Sequence, residues 1–90
     1  MLDRIHKTAK AVYEKTGATI SIQVHTGDRN SLNMQVYPAG WHEARKRSEN
    51  GTASLDEWNL SRSVKHYENM PSGSEGQAEV LEILEAMLWS

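Results

Sequence analysis

Thr19-Ile20-Ser21-Ile22-Gln23-Val24-His25-Thr26-Gly27-Asp28-Arg29-Asn30-Ser31-Leu32-Asn33-Met34-Gln35-Val36-Tyr37 is the stretch whose reading decides the fold. Ile20, Ile22 and Val24 alternate with Ser21, Gln23 and His25, and Leu32, Met34 and Val36 alternate with Asn33, Gln35 and Tyr37. A period of two places all six apolar side chains on one face of a pair of strands, 19–26 and 31–37. Gly27, Asp28, Arg29 and Asn30 supply the turn, since Gly and Asn tolerate positive φ and Asp bonds its own backbone. The result is a half-buried antiparallel hairpin whose apolar side must be covered, with Ile22 and Val36 expected in the core.

The cover comes from the two ends of the chain. Leu2, Ile5, Ala9, Val12, Tyr13 and Thr16 recur at spacings of three and four, which predicts a helix over 2–16 that Gly17 stops. Val80, Leu81, Ile83, Leu84, Met87 and Leu88 predict a second helix over 75–88, with Ser74 as its N-cap and Glu75 in the favourable first turn. Its apolar arc spans about 160° at 100° per residue, wider than one sheet contact requires. Pro71, Ser72, Gly73, Ser74 and Gly76 read as a short flexible connector leading into it.

Two readings compete between Pro38 and Met70. In the first, Pro38, Ala39 and Gly40 interrupt the strand, 41–48 resumes it, and Asn50-Gly51 makes a type I′ hairpin turn that sets Arg45 opposite Asp56 and Trp41 opposite Leu60. Trp58, Leu60 and Val64 then continue a strand to about Tyr67. In the second, Ser54-Leu55-Asp56-Glu57 is a helix capping box, with Leu60, Val64 and Tyr67 at helical spacing. The strand reading is preferred, because Asn59, Ser61, Ser63, Val64, His66 and Tyr67 are middling or poor helix formers. The fold expected is α+β: an antiparallel sheet of three to four strands with the N-terminal and C-terminal helices packed on one face.

Ninety residues make one small domain, 1–90. The absence of Cys excludes disulfides and Cys-based zinc sites and suits a reducing compartment. Neither a leader nor a membrane span is read, so a cytoplasmic location without membrane partners is expected. Ten basic and twelve acidic residues give a net charge of −2, which lacks the global basic field of most nucleic-acid binders.

Nothing in the chain carries a catalytic or cofactor signature. His6, His25, His42 and His66 stand at no ligand spacing, although His25 and His66 could meet across the polar sheet face beside Gln35 and Tyr37. Ser21, Ser48, Ser61 and Ser63 have no recognisable base, and Asp56 and Glu57 as strand neighbours would point to opposite faces. Gly73 and Gly76 lack the strand and Lys of a phosphate loop. No enzyme, cofactor or metal is expected.

Two surfaces could bind partners. Ile83, Met87 and Trp89 lie on or just beyond the wide face of the last helix and suit a homodimer interface. In the alternative, the first helix crosses the last and covers that excess, its lysines facing the glutamates. Glu75, Glu79, Glu82 and Glu85 leave the last helix with acidic residues only, a surface for a basic protein partner. Trp41, Arg45, Lys46 and Arg47 form the one basic stretch suited to nucleic acid, unless it is a charged strand edge.

The order helix, antiparallel strands, helix resembles the double-stranded RNA-binding domain. That family carries phosphate-gripping lysines at the start of its last helix, where this chain reads Ser74-Glu75-Gly76-Gln77-Ala78-Glu79, so the resemblance implies topology without RNA binding. The function expected is a non-catalytic protein-interaction or regulatory module that self-associates; the alternative is a nucleic-acid-binding module using Arg45–Arg47.

Overall fold

The structure, a computed structural model, describes residues 2–89; Met1, Ser90 and the side chain of Leu2 lie outside that set. The chain runs α1 (Leu2–Thr16), β1 (Thr19–His25), β2 (Ser31–Tyr37), α2 (Trp41–Glu49), α3 (Leu55–Leu60), β3 (Lys65–Pro71) and α4 (Ser74–Trp89). The fold is α+β, with the terminal helices and the antiparallel strands in the order read from the sequence and two helices inserted between β2 and β3.

The sheet has the order β1-β2-β3. β2 is central, and its alternation is realised directly: Leu32, Met34 and Val36 are buried while the residues between them are half-buried. β1 pairs with it in unbroken register, setting Val24 beside Leu32, Ile22 beside Met34 and Ile20 beside Val36. On the other side β3 carries one extra residue between Tyr67 and Met70. Asn69 adopts φ 61° there, and its N–H donates to Asn33 Oδ1 at 3.0 Å in place of a ladder partner.

One core joins α1, β2, β3 and α4 through Ile5, Val12, Leu32, Met34, Val36, Met70, Val80, Leu81 and Leu84. α1 lies mainly along α4 and touches β1 sparingly. Arg4 bonds Glu85 at 3.2 Å and Lys15 Nζ donates to the Leu88 carbonyl, so a cation of α1 does face a glutamate of α4. Tyr13 and Thr16, taken from the sequence as part of the inward stripe of α1, are exposed. Ile22 is half-buried against the core rather than within it, because the helices cover β2 and leave β1 at their margin.

Residues 41–60 correct the strand reading: 41–49 and 55–60 are helical with 50–54 joining them, and only 65–67 of the proposed strand belong to one. Asn50-Gly51 closes α2 instead of turning a hairpin. Gly51 takes φ 72°, its N–H reaches the Ser48 carbonyl at 3.3 Å, and the Thr52 N–H reaches that of Arg47 at 2.9 Å. This is a Schellman ending, which requires the same left-handed glycine that a type I′ turn would. α3 opens on the complete capping box: Ser54 Oγ accepts from the Glu57 N–H at 3.2 Å, and Glu57 Oε1 accepts from the Ser54 N–H at 3.2 Å. The poor helix formers Ser61, Ser63 and Val64 fall after α3 has ended.

The connector before α4 is also shorter than expected, because Pro71 belongs to β3 and Ser74 to α4. Gly76 explains the tight corner. A Cβ on it would sit 1.6 Å from the Pro71 carbonyl oxygen, so only glycine lets the first turn of α4 rest on the end of β3.

Candidate functional site

The end of β2 and the start of α2 place Tyr37 and Trp41 in contact, with ring centroids 4.8 Å apart and planes at 58°. The indole Nε1–H donates to the Ser61 carbonyl at 2.9 Å, which ties the head of α2 to the tail of α3. Beside these rings lies an open cleft of about 620 Å³ whose polar lining includes Arg45, Arg62 and His66. Tyr37 and Trp41 give it an aromatic wall, and Glu49 sets a carboxylate beside Arg45 in the same lining.

The cations there are largely engaged within the chain. Arg45 Nε contacts Glu49 at 2.9 Å, one helical turn on, and Arg47 contacts Glu57 at 2.5 Å, clasping α2 to α3. The Arg47 guanidinium, helped by the Ser54 N–H, holds the Glu57 carboxyl below the ordinary glutamate range, while Glu57 raises Arg47 in return. The strand pairs expected from the sequence, Arg45 with Asp56 and Trp41 with Leu60, do not occur, since neither member lies in a strand. Arg62 stacks on the Trp58 ring at 3.9 Å. A polyanion would have to compete with two carboxylates for Arg45 and Arg47, which leaves Lys46 as the remaining cation of that stretch to release a counterion.

A second surface follows from the sheet order. β1 is an edge, and its seven residues include no Asp, Glu, Lys, Arg or Pro. Its apolar face is incompletely covered: Val24 is 58% exposed although its neighbour Leu32 is buried. Above it, His6, Ala9, Lys10 and Tyr13 lie at spacings of three and four on the β1 side of α1, and with Thr19 and Ile20 they line a hollow of about 280 Å³. A second hollow of about 360 Å³ continues past Ile5 and Ile22 to Val24. Edge, hollows and the exposed Tyr13 ring make one apolar strip along the side of the molecule.

Sequence reasoning placed Ile20, Ile22 and Val24 in the covered face and missed this strip. The absence of charge from 19–25 does not single it out, since the central strand 31–37 is equally uncharged.

Of the residues singled out on α4, Ile83 and Met87 are half-buried against the core, and Trp89 is 87% exposed at the end of the helix. The four histidines are all exposed, and His25 and His66 do not meet: they flank β2 at Ser31 and Gln35, four residues apart along it. Among the described residues no group of three His, Cys, Asp or Glu could hold a metal ion, and no helix is long and apolar enough to cross a membrane. Comparison with protein-family models, with curated proteins and with solved structures finds no match to this chain.

Proposed function

We propose that this chain is a non-catalytic protein-interaction module that works as a homodimer, joined through the β1 edge. The observation that carries the reading is the unguarded character of that edge. A flat edge strand presents a row of N–H and C=O groups ready to pair, and edges that must stay single are blunted with charge, proline or a bulge. β1 has none of these and adds a partly bare apolar face. It is a better seam than Ile83 and Met87, whose surface is already partly spent on the core. The nucleic-acid alternative at Trp41, Arg45, Lys46 and Arg47 is disfavoured by the ion pairs that occupy both arginines.

Light scattering between low and high micromolar concentration tests it. The expected mass is that of two chains, falling to one for Val24→Lys, which sets a charge at the seam, and unchanged for Trp89→Asp. A mass of one chain throughout overturns the proposal; a dimer lost in Trp89→Asp and kept in Val24→Lys moves the interface to α4.

A further inference from the structure

We infer, resting on that self-association, that the two copies pair antiparallel about a two-fold axis passing through Ile22, so that the two sheets join into one of six strands. The sequence of the edge is symmetric in character about Ile22: Ile20 and Val24 flank it at two residues, Ser21 and Gln23 at one, Thr19 and His25 at three. A two-fold seam requires such self-complementarity, because each contact occurs twice with roles exchanged. Centred on Ile22, all seven residues pair: Ile22 meets the partner's Ile22, Ile20 meets the partner's Val24, and Ser21 meets the partner's Gln23. A seam centred on Ser21 or Gln23 also keeps faces matched, but strands two residues at one end of each copy. Antiparallel strands slipped to mismatch faces would set Ile and Val against Ser and Gln.

The relief of the surface agrees with this centre. On each copy the side chain that stands out is Val24, 58% exposed at one end of the strip, and the hollow under Tyr13 and Ile20 lies at the other. The two-fold brings the partner's Val24 beside Ile20, at the mouth of that hollow, and does so at both ends of the seam. Lys10 is the one formally charged residue lining either hollow, and its long stem can stay at the rim.

The pairing also ends itself. Once β1 is covered, the free edges of the joined sheet are the two β3 strands, which carry Lys65, Glu68, Pro71 and the bulge at Asn69. A head-to-tail seam of β1 on β3 would instead propagate into a filament, and the features of β3 oppose it.

The chain has no cysteine, so disulfide trapping reads the register without background. Directly opposed residues of antiparallel strands have Cα atoms within disulfide reach, while those offset by two residues are beyond it. Ser21→Cys mixed with Gln23→Cys is expected to oxidise to a hetero-crosslinked dimer. Either variant alone, and Gln23→Cys mixed with His25→Cys, should remain uncrosslinked. Both sites lie on the polar face, and light scattering on the reduced variants confirms that the dimer is intact. Crosslinking of Ser21→Cys or Gln23→Cys alone overturns this register and keeps the edge as the seam. A dimer that crosslinks in no mixture overturns strand pairing and leaves self-association to another surface. A single-chain mass for the unsubstituted protein overturns both readings, and with them leaves the edge to a foreign extended segment.

Discussion

β1 and β3 flank the same central strand, each is seven residues long, and each has one side without a strand partner. β3 carries Lys65 and Glu68, ends in Pro71, and is kinked by the extra residue at Asn69, whose N–H is turned onto the Asn33 side chain. β1 is straight in register, uncharged and free of proline. The helix layer repeats the asymmetry, since Met70 of β3 is buried beneath it while Val24 of β1 is largely bare. The two strands share one sheet, yet differ in charge, proline and helix cover together. On the proposed reading, what distinguishes them is the contact each edge permits.

Removing the guards from β3 is the most drastic way to break that comparison. Lys65→Thr together with Glu68→Thr should turn a dimer of fixed mass into assemblies whose scattering grows with concentration, because both ends of the joined sheet can then accept strands. If the mass stays at two chains, the bulge and Pro71 suffice without the charges.

The centre and the margin of the sheet should also differ in stability. Met34→Ala removes a fully buried side chain and is expected to cost about 2–5 kcal/mol in urea melts. Ile22→Ala, measured at concentrations where the chain is monomeric, should cost about 1 kcal/mol, because its site is half open to water. Equal losses would show that β1 is covered as well as β2. At dimer concentrations the Ile22→Ala loss should grow, since the side chain then lies at the seam.

The smallest expected effect is an acid response on the β3 side alone. The Glu57 carboxyl is held below its ordinary value of 4.5, so its contribution to the α2–α3 clasp is complete above that value and is lost as pH falls through the lowered one. Amide exchange at Glu57 and Trp58, both bonded to Ser54, should accelerate over that window relative to the β1–β2 ladder. Glu57→Gln should remove the pH dependence, and a parallel acceleration in both regions would refute the assignment.

The hairpin and the terminal helices were legible because each has a long, consistent period: two in Ile20–Val36, three and four in Ile5–Val12 and Val80–Leu88. Residues 41–60 were misread because their strongest signal is ambiguous. Asn50-Gly51 supplies a left-handed glycine, which a type I′ turn and a Schellman ending both need. The alternation of Trp58 and Leu60 is too short to outweigh a full capping box, and Arg45, Lys46 and Arg47 are as good in a helix as on a strand edge. The bare β1 edge was hidden for another reason. A hairpin has two strands of similar pattern, and which becomes the centre depends on where β3 docks after a distant excursion, information that no local window of sequence holds. Trp41 and Arg45 line one cleft that the strand reading did not foresee, and the carboxylates paired with Arg45 and Arg47 come from helical geometry which that reading did not contain.

The indole bond from Trp41 to Ser61 bears on how the chain reaches this structure. β1 and β2 are joined across residues 26–30, whereas β3 must find β2 across residues 38–64. Closing the longer loop costs roughly 1.5 kcal/mol more if it behaves as flexible chain, at about 0.6 kcal/mol per doubling. α2 carries its own stop signal, α3 its own capping box, and an ion pair joins them, so this hairpin of helices can assemble from contacts close in sequence. Once Trp41 is tied to Ser61, the span left open shrinks to the few residues on either side, and the strand that seals the core arrives on a tether already drawn short.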